Sequence, residues 1–418
     1  MRIALLSYRS KPHCGGQGVY VRYLSRELVA LGHSVEVFSG QPYPELDDGV
    51  LLTKVPSLDL YREPDPFRVP QLREFRDITD VLEFATMCTA GFPEPRTFGR
   101  RVARLLAGRR DDFDVVHDNQ VLADDIAALM ALGFPLVTTI HHPITVDRRI
   151  DLAAAPWRKQ LSLRRWYGFL HMQTRVARRL PRILTPSASS ARDVVLDFGV
   201  DPGRVEIIPL GVDETFRPPS TARVPGRILA MASADAPMKG IATLLEAVAK
   251  LRTERDHLSL MLVTKPEPGG RTAQLIDELG LAGHVTFVHG VSDSELVDIM
   301  GSAEIGCVPS LYEGFSLPTA ELMACATPLV VSRAGAIPEV VGPDGECADL
   351  VPPGDVEALA HAIAALLDDP DRRDRMGAAG RARSQAQFSW RAVAEATAAA
   401  YEDEIRAVRA REVAHVDR

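Results

Sequence analysis

The sequence predicts an α/β protein of two doubly wound parallel-sheet domains facing a cleft, and three observations carry that prediction. Short apolar runs alternate with amphipathic stretches, the pattern of a parallel sheet covered by helices on both faces. The cycle runs twice, before and after PLGVDETFRPPSTARVPG (209–226), a stretch whose Pro and Gly density reads as a linker. A glycine-rich loop follows the first apolar run, where a strand passes into a helix.

Taken in order, RIALLSY (2–8) is the first strand, and HCGGQGVYVRYLSRELVALGH carries the chain through the loop into a helix ending at Gly32. SVEVFSG (34–40), VLLTKV (50–55), DVVH (114–117), LVTTIHH (136–142), RILTPS (182–187) and VEIIPLG (205–211) complete the first set of strands. Between 58 and 110 the pattern breaks into Pro-, Arg- and aromatic-containing stretches, read as an insertion with short helices rather than core. The second set is RILAMAS (227–233), LSLMLVT (258–264), VTFVHG (285–290), IGCVPS (305–310), PLVVS (328–332) and ADLVPP (348–353). The last amphipathic stretch, SWRAVAEATAAAYEDEIRAVR, has no strand to serve and is expected to cross back onto the first domain. Ligands of such folds bind at the carboxyl ends of the strands.

The 418 residues, 46% hydrophobic and 25% charged, are an ordinary globular composition with room for two large domains. No apolar run reaches the ~20 residues that span a bilayer, and MRIALLSYRSKP turns polar too early for a secretory signal. Five cysteines (Cys14, Cys88, Cys307, Cys325, Cys347) lack metal-ligand spacing and suit thiols in a reducing cytoplasm. Residues 1–210 hold 28 basic and 25 acidic side chains, so the formal charge of −8 arises in the second half and argues against nucleic-acid binding. A basic cluster from Arg148 through Lys159, Arg164 and Arg165 to Arg182, interleaved with Trp157, Trp166 and Tyr167, reads as a solvated arginine-rich helix. Its alternative is a face for an anionic acceptor or membrane surface.

The segment SLYEGFSLPTAELMACATPLVVS is the most informative. It reads as a loop closing on Gly314 and a helix opening at Leu317–Pro318, since Pro is tolerated in a first helical turn. Free amides and the positive dipole end at such a start make an anion site. Glu313 and Glu321 flank it, with seven residues between them. A nucleotide-diphosphate sugar has the matching layout: ribose hydroxyls, two phosphates, sugar hydroxyls. A capped helix with two solvated glutamates would read the same way.

The glycine loop HCGGQGVYVRYL, the strand end TIHH, the linker IIPLGVD, the turn MKG, the strand VTFVHG and the Glu-x7-Glu segment occur in this order. With them the chain resembles the retaining glycosyltransferases of the GT-B fold, specifically the large family 4. The resemblance covers nearly the whole chain, is strongest from 205 to 390, and extends to VPPGDVEALAHAIAALLDDP. It implies a Rossmann-like acceptor domain at 1–208, with 58–110 a variable insertion, and a Rossmann-like nucleotide-sugar domain at 227–390. Residues 391–418 would then form the returning helix.

The resemblance also assigns roles. His141, Lys239 and Glu313 are implied as catalytic: the first beside the transferred sugar, the second on the diphosphate, the third on sugar hydroxyls. Gly15 and Gly16 are implied to approach the donor from the first domain. Gly314, Phe315, Ser316 and Leu317 would cradle phosphate and sugar, Glu321 would hold the ribose, and His289, Gly290 and Val291 would border the base. Asp118, Asn119, Gln120 and His142 are candidates for the acceptor side. Family members usually carry an arginine five or six positions before the lysine; here Ser233 and Ala234 stand there, so a bidentate donor is missing. Ser233 is left to offer a hydroxyl, and Lys265 or Arg271 to supply charge.

The expected reaction is retaining, front-face, metal-independent transfer of a hexose from a nucleotide sugar to a saccharide or glycolipid hydroxyl, without a cofactor. Mannose from GDP-mannose is preferred, because arginine-rich, lysine-poor usage points to high-GC bacteria that build polysaccharides and glycolipids. The alternatives are a UDP-glucose-dependent glucosyltransferase, an epimerase or phosphorylase on the same architecture, and a nucleotide-sugar-binding protein with little activity. The expected setting is cytoplasmic; the alternative adds peripheral contact at the inner face of a membrane.

Overall fold

A computed structural model describes the chain except residues 11–15, 63, 232–235, 268 and 417–418; for 415 and 416 it describes only the backbone. The chain divides into two compact units, Met1–Pro209 with Trp390–Arg418, and Leu210–Ser389.

The first unit holds a seven-stranded sheet of β1 (Arg2–Ser7), β2 (Ser34–Ser39), β3 (Leu51–Lys54), β4 (Val115–Asn119), β5 (Leu136–Thr139), β6 (Arg182–Thr185) and β7 (Val205–Ile207). Its order is β3-β2-β1-β4-β5-β6-β7, and every pair is parallel. The second holds β8 (Val224–Met231), β9 (Ser259–Val263), β10 (Val285–Val288), β11 (Ala303–Val308), β12 (Leu329–Ser332) and β13 (Asp349–Val351). That sheet is also parallel throughout, in the order β10-β9-β8-β11-β12-β13. Each sheet therefore reverses its winding once, between β1 and β4 and between β8 and β11. Crevices for ligands open at the carboxyl ends beside such reversals.

The strands form where the apolar runs lie because both faces of each sheet are covered. Ile3, Ala4, Leu5 and Leu6 of β1 are all fully buried, as are Ile228 and Leu229 of β8. At roughly 1.5–3 kcal/mol for each large apolar side chain, such runs fix the sheets in place.

Three differences from the sequence reading bear on function. First, 58–110 is not all peripheral. The helix Glu94–Ala107 sends Phe98, Val102 and Leu106 into the core of the first unit. Its apolar residues follow helical spacing, but the flanking Pro and Arg clusters obscure it. Second, β5 stops at Thr139, so His141 and His142 stand beyond the strand. Third, residues 210–226 belong to the second unit, where Leu210 and Asp213 are buried. Arg223 there donates to the carbonyls of Gly301 (2.8 Å), Ala303 (2.9 Å) and Ala326 (2.6 Å).

The helix Trp390–Val416 packs with the first unit. Trp390 stacks on Tyr23 at 5.5 Å between ring centroids, and Tyr401 is fully buried against His117.

Candidate active site

In the second unit, the short turn Pro237–Lys239 and then Gly240 precede the helix Ile241–Arg252. Gly240 has φ +66°, and a Cβ there would fall 2.0 Å from the Pro309 carbonyl oxygen. Only glycine fits this close approach. The Leu311 amide donates to the Met238 carbonyl at 2.7 Å, so the turn is locked to the loop that follows β11.

That lock brings Lys239 to Glu313, with Nζ 2.8 Å from Oε1. The Ser310 hydroxyl donates to the same oxygen at 2.7 Å. Behind the loop, the Ala336 amide donates to the Glu313 carbonyl at 2.9 Å, and Gly335 (φ +54°) leaves no room for a Cβ against that carbonyl. Glu313 is thus held from both ends, and its second carboxylate oxygen makes no bond to Lys239 or Ser310.

The helix Leu317–Ala324 begins at Ser316, whose φ is +82°, a conformation rarely adopted outside glycine. Ser316 does not cap the helix; its hydroxyl pairs with that of Thr319 at 2.8 Å. The Leu317 amide therefore lacks the usual side-chain acceptor, while Pro318 has no N–H and the Thr319 amide donates to the Ser316 carbonyl at 3.1 Å. Phe315 is buried edge-on against Phe388.

The side chain of Glu321, one turn into this helix, has no hydrogen-bond or ion-pair partner among the described residues. Burial pushes its carboxyl up to about 7, with a smaller push from Asp293. Asp293 starts the helix Asp293–Ser302, just after the exposed His289 and Gly290 (φ +68°) and the half-buried Val291. The loop after β10 and Glu321 therefore lie within electrostatic reach of each other. Lys239 and Glu313 come together across the loop after β11, and Glu321 follows on the helix that this loop opens. Ser233 lies outside the described residues. Arg271 pairs with Glu278 at 2.8 Å on the surface of the second unit.

In the first unit, Gly16 opens the helix Gly16–Ala30, while Gly15 lies outside the described residues. His141 Nε2–H donates to Asn119 Oδ1 at 2.8 Å, which leaves Nδ1 as the ring's acceptor. Burial pushes this imidazole down to about 3, with His142 adding to the shift, so it is neutral at physiological pH. Gln120 clamps the segment by accepting from the His141 amide (2.7 Å) and donating to the His142 carbonyl (2.7 Å). Asp118 accepts from the amides of Val121 and Leu122, both at 3.0 Å. Asp118, Asn119 and Gln120 are all buried, and Asn119 and Gln120 hold the histidine segment from within. His142 pairs with Asp147 at 3.0 Å.

The sequence reading missed a buried chain of hydrogen bonds behind His141. Tyr401 bonds His117 Nδ1, His117 Nε2 bonds the Thr139 hydroxyl (2.8 Å), and Thr139 bonds Tyr20 (3.0 Å). Tyr20 then sets its ring edge-on to His141, 4.8 Å between centroids. The one available signal was a lone tyrosine among the alanines of the last helix. Among the described residues, no three His, Cys, Asp or Glu side chains converge as a metal site. No helix there is long and apolar enough to cross a membrane.

Two all-parallel α/β units, one carrying this lysine–glutamate pair at a helix start, define a glycosyltransferase architecture of the GT-B kind. Residues 14–216 match the Glycosyltransferase Family 4 model, and 212–383 match Glycosyl transferases group 1. The chain is 59% identical to the MMP alpha-(1->4)-mannosyltransferase of Mycolicibacterium hassiacum, over 98% of this chain and 100% of that one. It is 29% identical to a D-inositol 3-phosphate glycosyltransferase of Kribbella flavida, over 96% and 95% of the two chains. Among solved structures, sucrose-phosphate synthase from Thermosynechococcus elongatus superimposes with a TM-score of 0.74, at 25% identity over 97% of this chain and 99% of that one. The chain belongs to the family 4 glycosyltransferases of the GT-B fold, and it is an enzyme.

Proposed function

We propose that this enzyme transfers mannose from a nucleotide-diphosphate donor, GDP-mannose first, to a hydroxyl of a saccharide acceptor in α-(1→4) linkage. The observation that carries the reading is the Lys239–Glu313 pair beside the uncapped start of Leu317–Ala324. The choice of sugar and linkage draws on the printed name of the 59% identical relative.

On this reading the ammonium of Lys239 and the amides of 314–317 stabilise charge that builds on the diphosphate as the glycosidic bond breaks. Glu313 accepts from sugar hydroxyls, and Glu321 accepts from the ribose. Neutral His141 offers a hydrogen-bond acceptor beyond the carboxyl end of β5. The acceptor oxygen attacks the anomeric carbon from the face the diphosphate leaves, and the departing phosphate oxygen takes the acceptor's proton. The α configuration of the donor is thereby kept. Charge neutralisation by lysine and amides makes a metal ion unnecessary to this route.

The test incubates the full chain with GDP-mannose, UDP-glucose or GDP-glucose and α-mannosides, with and without EDTA. Proton NMR reads the anomeric configuration. The expected result is an α-mannoside product from GDP-mannose, unaffected by EDTA. Preferred use of UDP-glucose would assign the second reading, a glucosyltransferase; donor binding without product across the acceptors would overturn both.

A further inference from the structure

The helix Trp390–Val416 touches the surroundings of His141 at two points. Its buried face carries Trp390 and Tyr401, with Ala394 and Thr397, both fully buried, between them. Side chains this small let the helix lie close to the sheet, so the Tyr401 hydroxyl reaches His117 Nδ1. Trp390 packs against Tyr20 at 6.0 Å between ring centroids. Tyr401 reaches the same Tyr20 through His117 and Thr139.

Strand register places these groups. In the β4–β5 pair His117 stands opposite Val137, and Asn119 opposite Thr139. Alternate residues of a strand share a face, so His117, Asn119 and Thr139 project together, and His141 follows two residues on. Two neighbours bear on the His141 ring: Asn119 at Nε2, and the Tyr20 ring edge-on. Asn119 is fixed by β4 itself. Tyr20 stands on a helix, and Thr139 is the one partner of its hydroxyl among the described residues. Whatever orients Thr139 therefore aims Tyr20.

Burial keeps the His117 ring neutral, so one nitrogen donates and the other accepts. The Tyr401 hydroxyl is fully buried and has no second partner among the described residues. If it only accepted from Nδ1–H, its own proton would be left unpaired. That favours one order: Tyr401 donates to Nδ1, Nε2–H donates to Thr139, and Thr139 donates to Tyr20.

We infer that Tyr401 is a positioning residue for His141: its hydroxyl fixes the His117 tautomer, His117 orients Thr139, and Thr139 aims the Tyr20 ring at the His141 imidazole. Without that hydroxyl the His117 ring is free to change tautomer, Thr139 loses its fixed donor, and Tyr20 loses its aim. The inference rests on the transferase reading above, in which the acceptor nitrogen of His141 serves the reaction.

The experiment compares the full chain with Tyr401→Phe, Thr139→Val and their double variant. It reads kcat and KM with GDP-mannose, melting temperature, and the ring-nitrogen resonances of 15N-histidine-labelled protein without donor or acceptor. The His141 signals are assigned by their loss in His141→Gln. Each single variant is expected to shift the His141 resonances and to lower kcat about tenfold, with the KM for GDP-mannose unchanged. The double variant should lose no more than the worse single variant, as members of one series do. Ala398→Gly loosens the same helix away from the relay; it should lower the melting temperature and leave kcat and the His141 resonances as in the wild type. Unshifted His141 resonances in both single variants overturn the relay. So do losses that multiply in the double variant, or an equal fall in kcat for Ala398→Gly. A wild type that transfers no sugar overturns the transferase reading, and the His141 resonances then still decide the relay.

Discussion

Lys239 Nζ lies 2.8 Å from Glu313 Oε1, although 74 positions separate them in sequence. The ammonium and the carboxylate neutralise each other, so each sets the other's readiness for a ligand. Replacing either by alanine is expected to lower kcat/KM by roughly a hundredfold to a thousandfold, ~3–4 kcal/mol. The double variant should lose less than the product of the two, because groups in contact do not act independently. A double-mutant cycle on kcat/KM checks this, and strict additivity would refute the shared role.

Gly240 touches no expected ligand, yet its substitution should reach the site. A methyl group there would meet the Pro309 carbonyl at 2.0 Å and would also have to tolerate a φ of +66°. Gly240→Ala is expected to move the 237–239 turn and weaken donor binding at least tenfold, with the rest of the fold retained. Titration with GDP and a melting curve separate the two effects.

Glu321 should give donor binding a pH dependence. Burial raises its carboxyl from 4.5 to about 7. Between those values the folded protein keeps a proton that the unfolded chain has lost. This group's contribution to stability is therefore complete below the ordinary carboxylate range and disappears as pH rises through 7. On the proposed function, the ionised form is the one that accepts from the ribose hydroxyls, so the KM for GDP-mannose should fall from pH 6 to pH 8. Glu321→Gln should flatten that profile; an unchanged slope would remove the ribose assignment.

The buried imidazoles act with the opposite sign. His117 and His141 are both pushed from 6.5 down to about 3 by burial. The stability they confer is complete above pH 6.5 and is lost as pH falls toward 3, since the unfolded chain takes up protons first. Melting temperature is expected to drop between pH 6.5 and 4.5, and His141→Gln should make that drop shallower. Across pH 6–8 His141 stays neutral, so an activity inflection there belongs to another group.

Much of this was legible in the sequence, for reasons specific to particular segments. Every strand of both sheets lay on an apolar run, because a parallel sheet covered on both faces needs one. The Glu-x7-Glu segment could be read because a loop, a helix start and two acids lie in one local stretch. Contacts made over long separations were hidden. Gln120 follows a strand end and was read as a candidate for the acceptor side; its clamp on His141 and His142 depends on a loop 21 positions away. The helix Glu94–Ala107 sat among prolines and arginines, so its core-facing Phe98 and Leu106 were assigned to an insertion.

The helix Trp390–Val416 completes the first unit, yet it is made after all of Leu210–Ser389. During synthesis, the buried His117 Nδ1 must wait without its partner until Tyr401 emerges from the ribosome. The half of the chain that is translated first is thus finished last, and any nascent fragment ending before 390 leaves an apolar face for chaperones to cover.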